Sequence, residues 1–424
     1  MKHLGALGFL LFWMLAASGI YLYVRFDTSA AGAYASIGEL EWWFGGLLRS
    51  MHRYAADAFV VITLLHILWE AGKGHFRGFR AFTWISGVPL LGLLYASGLV
   101  GYWLVWDARS QFSFSATLEF LGLDPVPAEQ ASDRLFSLFV FLHIGLPLAL
   151  LAGMWVHLHR LGRPQTVPPR ALAFGLAAML LALAALRPAA SEPRWDGARA
   201  AQEVAVDWFY QFIHPLMYAA SPAAVWVFIL GISALLLVLP FLLKPMRTAA
   251  AQVDPANCNG CGRCVADCPY QAVILSAQRK ASVFAERCAA CGICAGACPS
   301  STPFRSIREL VSGIELPELR MQELRRELQA LLASTPGEIT FCCEKAPRPG
   351  GIALRCLAML PPAFVEYALR NGAGRVRAIG CESECAYRLG LTLCEERFTR
   401  RREPHLRATV RAERHDNEYR FTLR

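Results

Sequence analysis

The first 257 residues contain no cysteine, although the chain of 424 residues has fourteen. That part of the chain therefore cannot attach a cofactor through thioether bonds, and no disulfide can cross-link one of its loops. Charged residues are also scarce, at 18% against 55% hydrophobic residues, which excludes an ordinary soluble enzyme. The net charge of +9 does not indicate nucleic acid, because Lys and Arg concentrate in short loops between apolar runs.

Six apolar runs are long enough to cross a bilayer. They lie near 4–24, 52–72, 84–106, 135–158, 170–187 and 222–243. The first follows Lys2 and His3, as in a signal peptide. Its length and the absence of a small-residue cleavage site predict a retained helix instead.

The loops between these runs differ in charge. Two loops, 72–83 and 159–170, carry the basic residues Lys73, Arg77, Arg80, Arg160, Arg163 and Arg170. Loop 107–134 is mostly acidic, with Asp107, Glu119, Asp124, Glu129 and Asp133 against Arg109 and Arg134. Lys244 and Arg247 follow the last run. By the positive-inside rule, we expect six spans in the inner membrane, with both termini and everything after residue 244 in the cytoplasm.

Four histidines lie inside these runs at equal spacing: His52 and His66 on the second, His143 and His157 on the fourth. Fourteen residues return a helical side chain to within about 40° of the same face, roughly 21 Å further along. Packed or hydrogen-bonded histidines would explain a single one. Two pairs at one spacing favour function, because polar side chains are costly in hydrocarbon.

Two imidazoles fill both axial positions of a haem iron, which leaves outer-sphere electron transfer as its chemistry. Because the second and fourth spans run in the same direction, we expect His52 to pair with His143 at the outer haem and His66 with His157 at the inner one. His159 is sixteen residues from His143, on the opposite face, and we interpret it as interfacial. Glycines repeat the spacing, as Gly5 and Gly19 on the first span and Gly87 and Gly101 on the third. A residue without Cβ lets a flat macrocycle approach the backbone.

Residues 1–160 resemble the haem-binding half of cytochrome b from quinol-oxidising bc complexes. The resemblance rests on the glycine and histidine pairs and on RSMHRYA (49–55), WISGV (84–88) and GYWLVW (101–106). It implies two b haems, a homodimer, and Arg49 near a haem propionate, where a plain membrane anchor is the alternative. Val105-Trp106-Asp107 departs from the family's Pro-Trp-Gly.

Residues 206–212, VDWFYQF, resemble the family's Pro-Glu-Trp-Tyr segment, which lines its outer quinol site. The resemblance implies quinone as substrate, with Asp207 and Tyr210 as catalytic residues. Asp207 replaces the family's glutamate with a shorter carboxylate. An acid in an interfacial loop is the alternative interpretation of Asp207.

The pattern C-x2-C-x2-C-x3-C-P occurs twice after the last span and is typical of bacterial two-cluster ferredoxins, in which the fourth cysteine ligates the other 4Fe–4S cluster. We therefore expect cluster one on Cys258, Cys261, Cys264 and Cys298. Cluster two should use Cys288, Cys291, Cys294 and Cys268. A zinc site would leave four cysteines unused. Gly260, Gly262 and Gly292 permit tight wrapping of the loops.

After the ferredoxin-like segment, an amphipathic helix is predicted over 305–333. Its apolar residues are Leu319, Leu324, Leu328, Leu331 and Leu332. A small α/β unit follows, with strands at GEITFCC, GGIALRC and RVRAIGC and a helix at PPAFVEYALRNGAG. Cysteines stand at the strand ends, where a parallel sheet presents groups to a ligand.

Residues 337–395 resemble the small iron–sulfur subunit that links methanogen hydrogenase to heterodisulfide reductase. The resemblance implies a 2Fe–2S cluster and a cytoplasmic flavin-containing partner of the disulfide-reductase kind. Its ligands would be Cys343, Cys356, Cys381 and Cys385, with Cys342 as an alternative to Cys343. Ala346 stands where the family has a cysteine. Cys394 is interpreted as a buried structural thiol.

These patterns predict an all-α transmembrane bundle followed by an α+β two-cluster ferredoxin module and a small α/β domain. The expected boundaries are 1–165 for the haem domain, 166–246 for two further spans, 247–304 for the ferredoxin, 305–336 for a linker and 337–424 for the last domain. We expect a subunit of a quinone-linked oxidoreductase complex that carries electrons between quinone and the flavoprotein, in either direction. The alternative is a haem-bearing membrane anchor and relay without a quinone site. A bifurcating bc-type enzyme would need a Rieske partner, which this sequence does not supply.

Overall fold

The computed structural model describes residues 3–40, 42–124, 126, 132–194, 205–242, 249–305, 309–334, 337–382 and 385–424. These residues form two compact units. The first comprises Met1–Leu158 and Pro164–Lys244, and the second comprises His159–Arg163 and Pro245–Arg424. Glu129, Lys244 and Arg247, which entered the prediction of orientation, lie outside the described residues.

The described part of the first unit is helical. Its helices are α1 (Leu4–Arg25), α2 (Ala33–Gly38), α3 (Leu47–Gly72), α4 (Ala81–Trp103), α5 (Ala108–Phe120), α6 (Asp133–Leu158), α7 (Arg170–Leu186), α8 (Ile213–Ala219) and α9 (Pro222–Leu242). A π-helical turn at Trp42–Gly46 leads into α3, and a 3₁₀ turn at Gly78–Arg80 leads into α4. The described stretches contain five helices long and apolar enough to cross a membrane, which are α1, Trp42–Gly72, Gly78–Trp103, α6 and α9.

Helices long and apolar enough to cross a membrane thus occur at five of the six predicted positions. The sixth, α7, is apolar but has 17 residues, at the short end of what a bilayer requires. That α7 crosses the membrane, and that the termini face the cytoplasm, remain predictions.

The packing of the spans brings glycine-bearing and histidine-bearing helices together. Helix α1 packs against α3, and α4 packs against α6. Leu11, Phe12 and Phe59 lie buried in one cluster with Leu94 and Leu150. The predicted histidines and glycines therefore stand on neighbouring helices.

Helix α5 occupies much of segment 107–134, which the charge pattern predicted to be a loop. Asp107 caps it, because Asp107 Oδ1 accepts hydrogen bonds from the Ser110 N–H at 2.9 Å and the Ser110 hydroxyl at 2.8 Å. The other oxygen, Oδ2, accepts from the Glu192 N–H at 2.8 Å. The departure from glycine at this position thus supplies a helix cap.

The second unit begins with the cysteine-rich segment. Strand β1 (Gln252–Val253) pairs with β4 (Ile314–Glu315), and β2 (Val273–Leu275) pairs with β3 (Ala281–Val283), both antiparallel. Each cysteine run contains one short helix, α10 (Arg263–Asp267) or α11 (Ile293–Ala297), and a 3₁₀ turn lies at Ala285–Arg287. Residues 159–163 belong to this unit, where the Gly162 N–H donates to the Pro269 carbonyl at 2.8 Å.

The remaining strands form one sheet in the order β6-β5-β7-β9-β8. They are β5 (Glu338–Cys343), β6 (Ile352–Leu354), β7 (Arg375–Ile379), β8 (Val410–His415) and β9 (Glu418–Leu423). Strand β5 runs parallel to β6 and β7, whereas β9 is antiparallel to both β7 and β8. Helices α12 (Met321–Ser334), α13 (Pro362–Arg370) and α14 (Gly390–Phe398) and a 3₁₀ turn at Leu357–Met359 accompany it. The predicted fold class, a helical first part followed by sheet-containing modules, is confirmed.

The predicted helix over 305–333 is wrong in its first half. Residues 309–320 are not helical, Ile314–Glu315 is strand β4, and α12 begins only at Met321. Gly313 and Pro317 explain the difference, because glycine and an interior proline both disfavour a helix. Leu324 and Leu328 are fully buried, as the amphipathic pattern required.

Candidate haem and iron–sulfur sites

The structure brings His52 of α3 and His143 of α6 together. Their ring centroids lie 6.2 Å apart. His66 and His157 lie further along the same two helices, where Gly5 and Gly87 face them. The structure thus brings together the predicted pair His52 and His143, and the pairing of His66 with His157 stays a prediction.

Hydrogen bonds fix which ring nitrogen carries the proton in three of these histidines. The Ser18 hydroxyl donates to the Met14 carbonyl at 2.7 Å. It must therefore accept the 2.9 Å hydrogen bond from Nδ1–H of His52. The Ser86 hydroxyl likewise donates to Thr83 at 3.1 Å and lies 3.2 Å from Nδ1 of His157.

His143 reaches the same state through the backbone, since its Nδ1 lies 3.0 Å from the carbonyl oxygen of Ser97, which can only accept. In all three rings Nε2 keeps its lone pair. Neutral imidazole with Nδ1–H held by a second group is the usual state of a metal-bound histidine. Sequence reasoning missed these partners, although the Ser-Gly pairs at 18–19 and 86–87 were a signal.

Each predicted glycine faces one histidine. A Cβ atom would lie 2.7 Å from Cε1 of His143 at Gly101, 3.0 Å from Cε1 of His157 at Gly87, and 3.2 Å from Cε1 of His52 at Gly19. At Gly5 the nearest atom is Cε1 of His66, at 3.7 Å. The glycines thus let the imidazoles lie against the backbones of the neighbouring helices. With Nε2 unprotonated in three rings, these residues fit a bis-histidine-ligated macrocycle.

Arg49 lies on α3, three residues before His52, and its Nη2 donates to the Ser191 hydroxyl at 2.8 Å. It is therefore engaged within the bundle. A role toward a haem propionate remains a prediction.

Asp207 and Tyr210 are both occupied by protein contacts. One carboxylate oxygen of Asp207 accepts the N–H groups of Phe209 and Tyr210, each at 2.9 Å, and the other pairs with Arg53. Arg53 also pairs with Asp57. The Tyr210 ring is buried, and its hydroxyl donates to the Ala56 carbonyl at 2.9 Å. Burial raises the pKa of this phenol. Arg53 was not foreseen, because only the fold brings it to the 206–212 loop.

A second polar pair, His214 and Thr117, lies just beyond the 206–212 loop. His214 is fully buried, and its Nε2 lies 3.1 Å from the Thr117 hydroxyl, which itself donates to Ser113 at 2.7 Å. Thr117 therefore accepts from Nε2–H, and Nδ1 of His214 is an acceptor. Neither this Nδ1 nor the buried amide nitrogen of Gln211 has a hydrogen-bond partner among the described residues. Burial lowers the pKa of His214 to about 4.

The eight cysteines of the ferredoxin-like segment separate into two groups. The thiol of Cys264 interacts most with those of Cys258, Cys261 and Cys298. The thiols of Cys291 and Cys294 interact with those of Cys268 and Cys288, and Cys294 also interacts with Cys264. This grouping supports the predicted ligand sets of clusters one and two, with the exchanged fourth cysteine, which stay predictions.

The surroundings of these thiols fit iron–sulfur clusters. Backbone N–H groups of Ala281, Ala272 and Ala251 donate to the sulfurs of Cys258, Cys268 and Cys288, at 3.4, 3.2 and 3.5 Å. Gly260, Gly262 and Gly292 have φ of 69°, 75° and 72°, which side chains rarely adopt. Burial raises the pKa of Cys264 and Cys291 to about 12, so a metal must displace these protons.

The C-terminal cysteines form a third group beside the carboxyl ends of β5 and β7. The sulfurs of Cys343 and Cys381 are 3.5 Å apart, and Cys385 lies within hydrogen-bonding reach of both Cys381 and Cys356. We call these four the C-terminal centre. Gly390 faces them, since a Cβ there would collide with the sulfurs of Cys356 and Cys385.

Cys342 and Cys394 stand outside this group. The Cys342 thiol points away, toward the Ile352 carbonyl at 3.7 Å. Of the two alternatives left open by the sequence, the geometry therefore favours Cys343 as the ligand. Cys394 is buried in the core of the unit.

Comparisons with known protein families divide the chain into three. Residues 1–163 match the family model for cytochrome b/b6/petB, residues 251–303 match the 4Fe-4S dicluster domain, and residues 341–418 match the delta subunit of methyl-viologen-reducing hydrogenase. The three resemblances seen in the sequence are thus confirmed, in the same order.

Relatives of the first part are cytochrome b proteins. Cytochrome b6 of Tupiella akineta is 35% identical over 170 residues, 36% of this chain and 78% of that protein. The menaquinol:cytochrome c reductase cytochrome b subunit of Geobacillus thermodenitrificans is 29% identical over 170 residues, 36% of this chain and 75% of that protein. Cytochrome b of Plasmodium vivax is 29% identical over 162 residues, and the match covers 36% of this chain and 42% of the relative's length.

Among solved structures, a chain of a hyperthermophilic respiratory complex III matches with 21% identity and a TM-score of 0.48. The match covers 57% of this chain and 75% of that one.

Proposed function

The chain belongs to the cytochrome b/b6 family, and on that premise we propose that it carries electrons between the quinone pool and a cytoplasmic flavoprotein of the heterodisulfide-reductase kind. Membrane electron transfer itself follows from the family and the 4Fe-4S dicluster domain. The observation that carries the proposal is the set of four imidazoles on α3 and α6, three of which have Nδ1 hydrogen-bonded and Nε2 free.

Two haems, two 4Fe–4S clusters and one 2Fe–2S cluster are the proposed cofactors, and bound in this way they exchange single electrons without an open coordination position. The protein's part is orientation. Ser18, Ser86 and the Ser97 carbonyl hold the imidazole planes, and the four glycines let the imidazoles lie against the neighbouring helix backbones.

The proposed quinone site lies at the 206–214 segment. The menaquinol-oxidising relative supports quinone as the substrate. Within the segment, His214 Nδ1 offers a buried acceptor and the Gln211 amide a buried donor, a combination that suits the hydroxyl and carbonyl oxygens of a quinol–quinone couple. Asp207, the proposed proton acceptor, is tied to Arg53, so that ion pair must open or loosen before Asp207 takes a proton.

The proposed C-terminal 2Fe–2S cluster uses Cys343, Cys356, Cys381 and Cys385. The match to the hydrogenase delta subunit supports a soluble redox partner for this end of the chain. Six spans in the inner membrane, cytoplasmic termini and a homodimer complete the proposal. Electron transfer from quinol at the outer face to the cytoplasm would move charge through the membrane potential, which corresponds to a free energy of about 2.3 kcal/mol per charge per 100 mV.

A haem-bearing anchor without a quinone site is the second candidate. The engagement of Asp207 with Arg53 and of Tyr210 with Ala56 favours it, because neither residue presents an unoccupied group. The two candidates differ in whether quinol reduces the haems directly.

The deciding experiment is reduction of the haems in the purified full chain by duroquinol, followed in the α-band. Quinone-linked transfer predicts reduction that slows in His214→Phe and Gln211→Met. Tyr218→Phe is the matched control, since Tyr218 is half-exposed on the same helix and bonds Glu119 at 2.8 Å. Dithionite-reducible haems that never respond to quinol would establish the anchor instead.

A further inference from the structure

The C-terminal centre and cluster two are held by segments that pack directly on one another. The 3₁₀ turn Leu357–Met359 follows Cys356 and rests against α11, the helix that carries Cys294. A Cβ at Gly296 would collide with the Ala358 carbonyl, and one at Gly292 would lie 2.7 Å from Cγ of Met359. Only glycine permits so close an approach of the two backbones.

Ligands of both centres directly flank this packing. Cys356 immediately precedes the 3₁₀ turn, and Cys291 immediately precedes Gly292, whose Cβ would meet Met359. The two ligand sets are thus neighbours inside the same unit.

A buried arginine joins the two segments. Arg397 is 1% exposed, and it donates through Nη1 to the Ala358 carbonyl at 2.7 Å and through Nη2 to the Ile293 carbonyl at 3.4 Å. Its counter-charge is Asp267, also 1% exposed, the residue before the cluster-two ligand Cys268. A second arginine, Arg402, donates to Asp267 through Nε at 2.6 Å. One planar guanidinium therefore bonds both sides of the packing, which an ammonium cannot do with the same geometry.

Cys258, Cys261 and Cys264 of cluster one lie on a loop and helix that form no hydrogen bond to the 3₁₀ turn within the described residues, although the fourth ligand, Cys298, directly follows α11. Gly260 and Gly262 of this loop face Arg279 and Leu275, which belong to the ferredoxin segment itself. Cys261 is exposed. Arg263 of the same loop forms a 3.6 Å ion pair with Glu403, and the two side chains are 35% and 56% exposed. Such solvent-accessible pairs contribute little.

We propose that cluster two exchanges electrons directly with the C-terminal centre, that Arg397 is the positioning residue that holds their ligand segments together, and that cluster one is a side branch. The inference rests on the proposed function, because it requires a cluster at the C-terminal centre. In the step, one electron lost by cluster two reduces the C-terminal centre by one electron, and no bond forms or breaks.

The test is EPR power saturation of the reduced C-terminal centre in the full chain, because a nearby paramagnet accelerates spin relaxation. Cys261→Ser, which removes a ligand of cluster one, should leave the relaxation fast. Cys291→Ser, which removes a ligand of cluster two, should slow it. Arg397→Met should retain iron and sulfide yet also slow the relaxation, and Arg397→Lys should restore it only in part.

Arg401→Met is the matched control, since Arg401 is exposed near Arg397 and pairs with Glu395 at 3.0 Å; its relaxation should equal that of the unmodified chain. If Arg397→Met does not fold, the two cysteine variants decide the order of centres. If spin relaxation slows in Cys261→Ser and not in Cys291→Ser, or if it is unchanged in both variants, this inference is wrong and the proposed function is unaffected. Absence of a third iron–sulfur signal in the unmodified chain contradicts the inference and the proposed third cluster together.

Discussion

The glycines that face the histidines allow a graded test of the haem sites. Ordinary contact for a Cβ begins at 3.4 Å, so alanine at Gly101, 2.7 Å from His143, requires a shift of about 0.7 Å. The same subtraction gives about 0.4 Å at Gly87, about 0.2 Å at Gly19 and none at Gly5, where the distance is 3.7 Å. Functional groups tolerate roughly 0.5 Å of displacement, and overpacking costs roughly 1–3 kcal/mol. Gly101→Ala should therefore disturb the outer haem most, and Gly5→Ala should be nearly silent.

The assay is the haem-to-protein ratio together with an optical redox titration of each purified variant. Gly101→Ala should lose or shift one haem component and spare the other. Gly92→Ala is the control on the same helix, because a Cβ there meets nothing within 4 Å. If Gly101→Ala binds both haems as the unmodified chain does, or if Gly5→Ala is the more damaging change, the glycines do not shape these sites.

Three further outcomes are expected. Ser18→Ala removes the hydroxyl that accepts the hydrogen bond from Nδ1–H of His52. Haem affinity at that site should therefore fall about tenfold or more. Equal retention of both haems in a haem titration would refute this. The pKa of His214 in the folded protein, about 4, lies below its ordinary value of 6.5. The free energy of unfolding that His214 contributes is therefore complete above pH 6.5 and falls by roughly 3 kcal/mol toward pH 4. In thermal unfolding, His214→Gln should lose less stability than the unmodified chain between pH 6.5 and pH 4. Gly390→Ala should eliminate the EPR signal of the C-terminal iron–sulfur cluster, because its Cβ would lie 2.8 Å from the Cys385 sulfur. The control variant Gly374→Ala should retain that signal, because the nearest atom to its Cβ is 3.4 Å away.

The paired arrangement of the histidines followed from the sequence because helical periodicity alone places residues fourteen apart on one face. The strands at GEITFCC and RVRAIGC also followed from the sequence, because alternating apolar residues place one face of each strand in the core of the sheet. The partners of these residues did not follow. Ser18 and Arg53 act across helices, and only tertiary packing decides which side chain they meet.

The errors have local physical causes. The helix predicted over 305–333 from its amphipathic pattern included Gly313 and Pro317, which favour strand and turn before α12. The β8–β9 hairpin was missed because β8 is mostly exposed, with Val410 its buried residue. Helix α5 was missed because its start depends on the cap at Asp107, a residue that the charge pattern assigned to an acidic loop.

A redox titration of the purified chain, followed by optical and EPR spectroscopy with His66→Ala beside it, tests the central claim most directly. Two b-type haems and at least two 4Fe–4S signals should appear in the unmodified chain. His66→Ala should lose the inner haem and retain the outer one with its clusters. A chain without Soret absorption, or a variant that loses both haems equally, would contradict the assignment of paired imidazoles on α3 and α6.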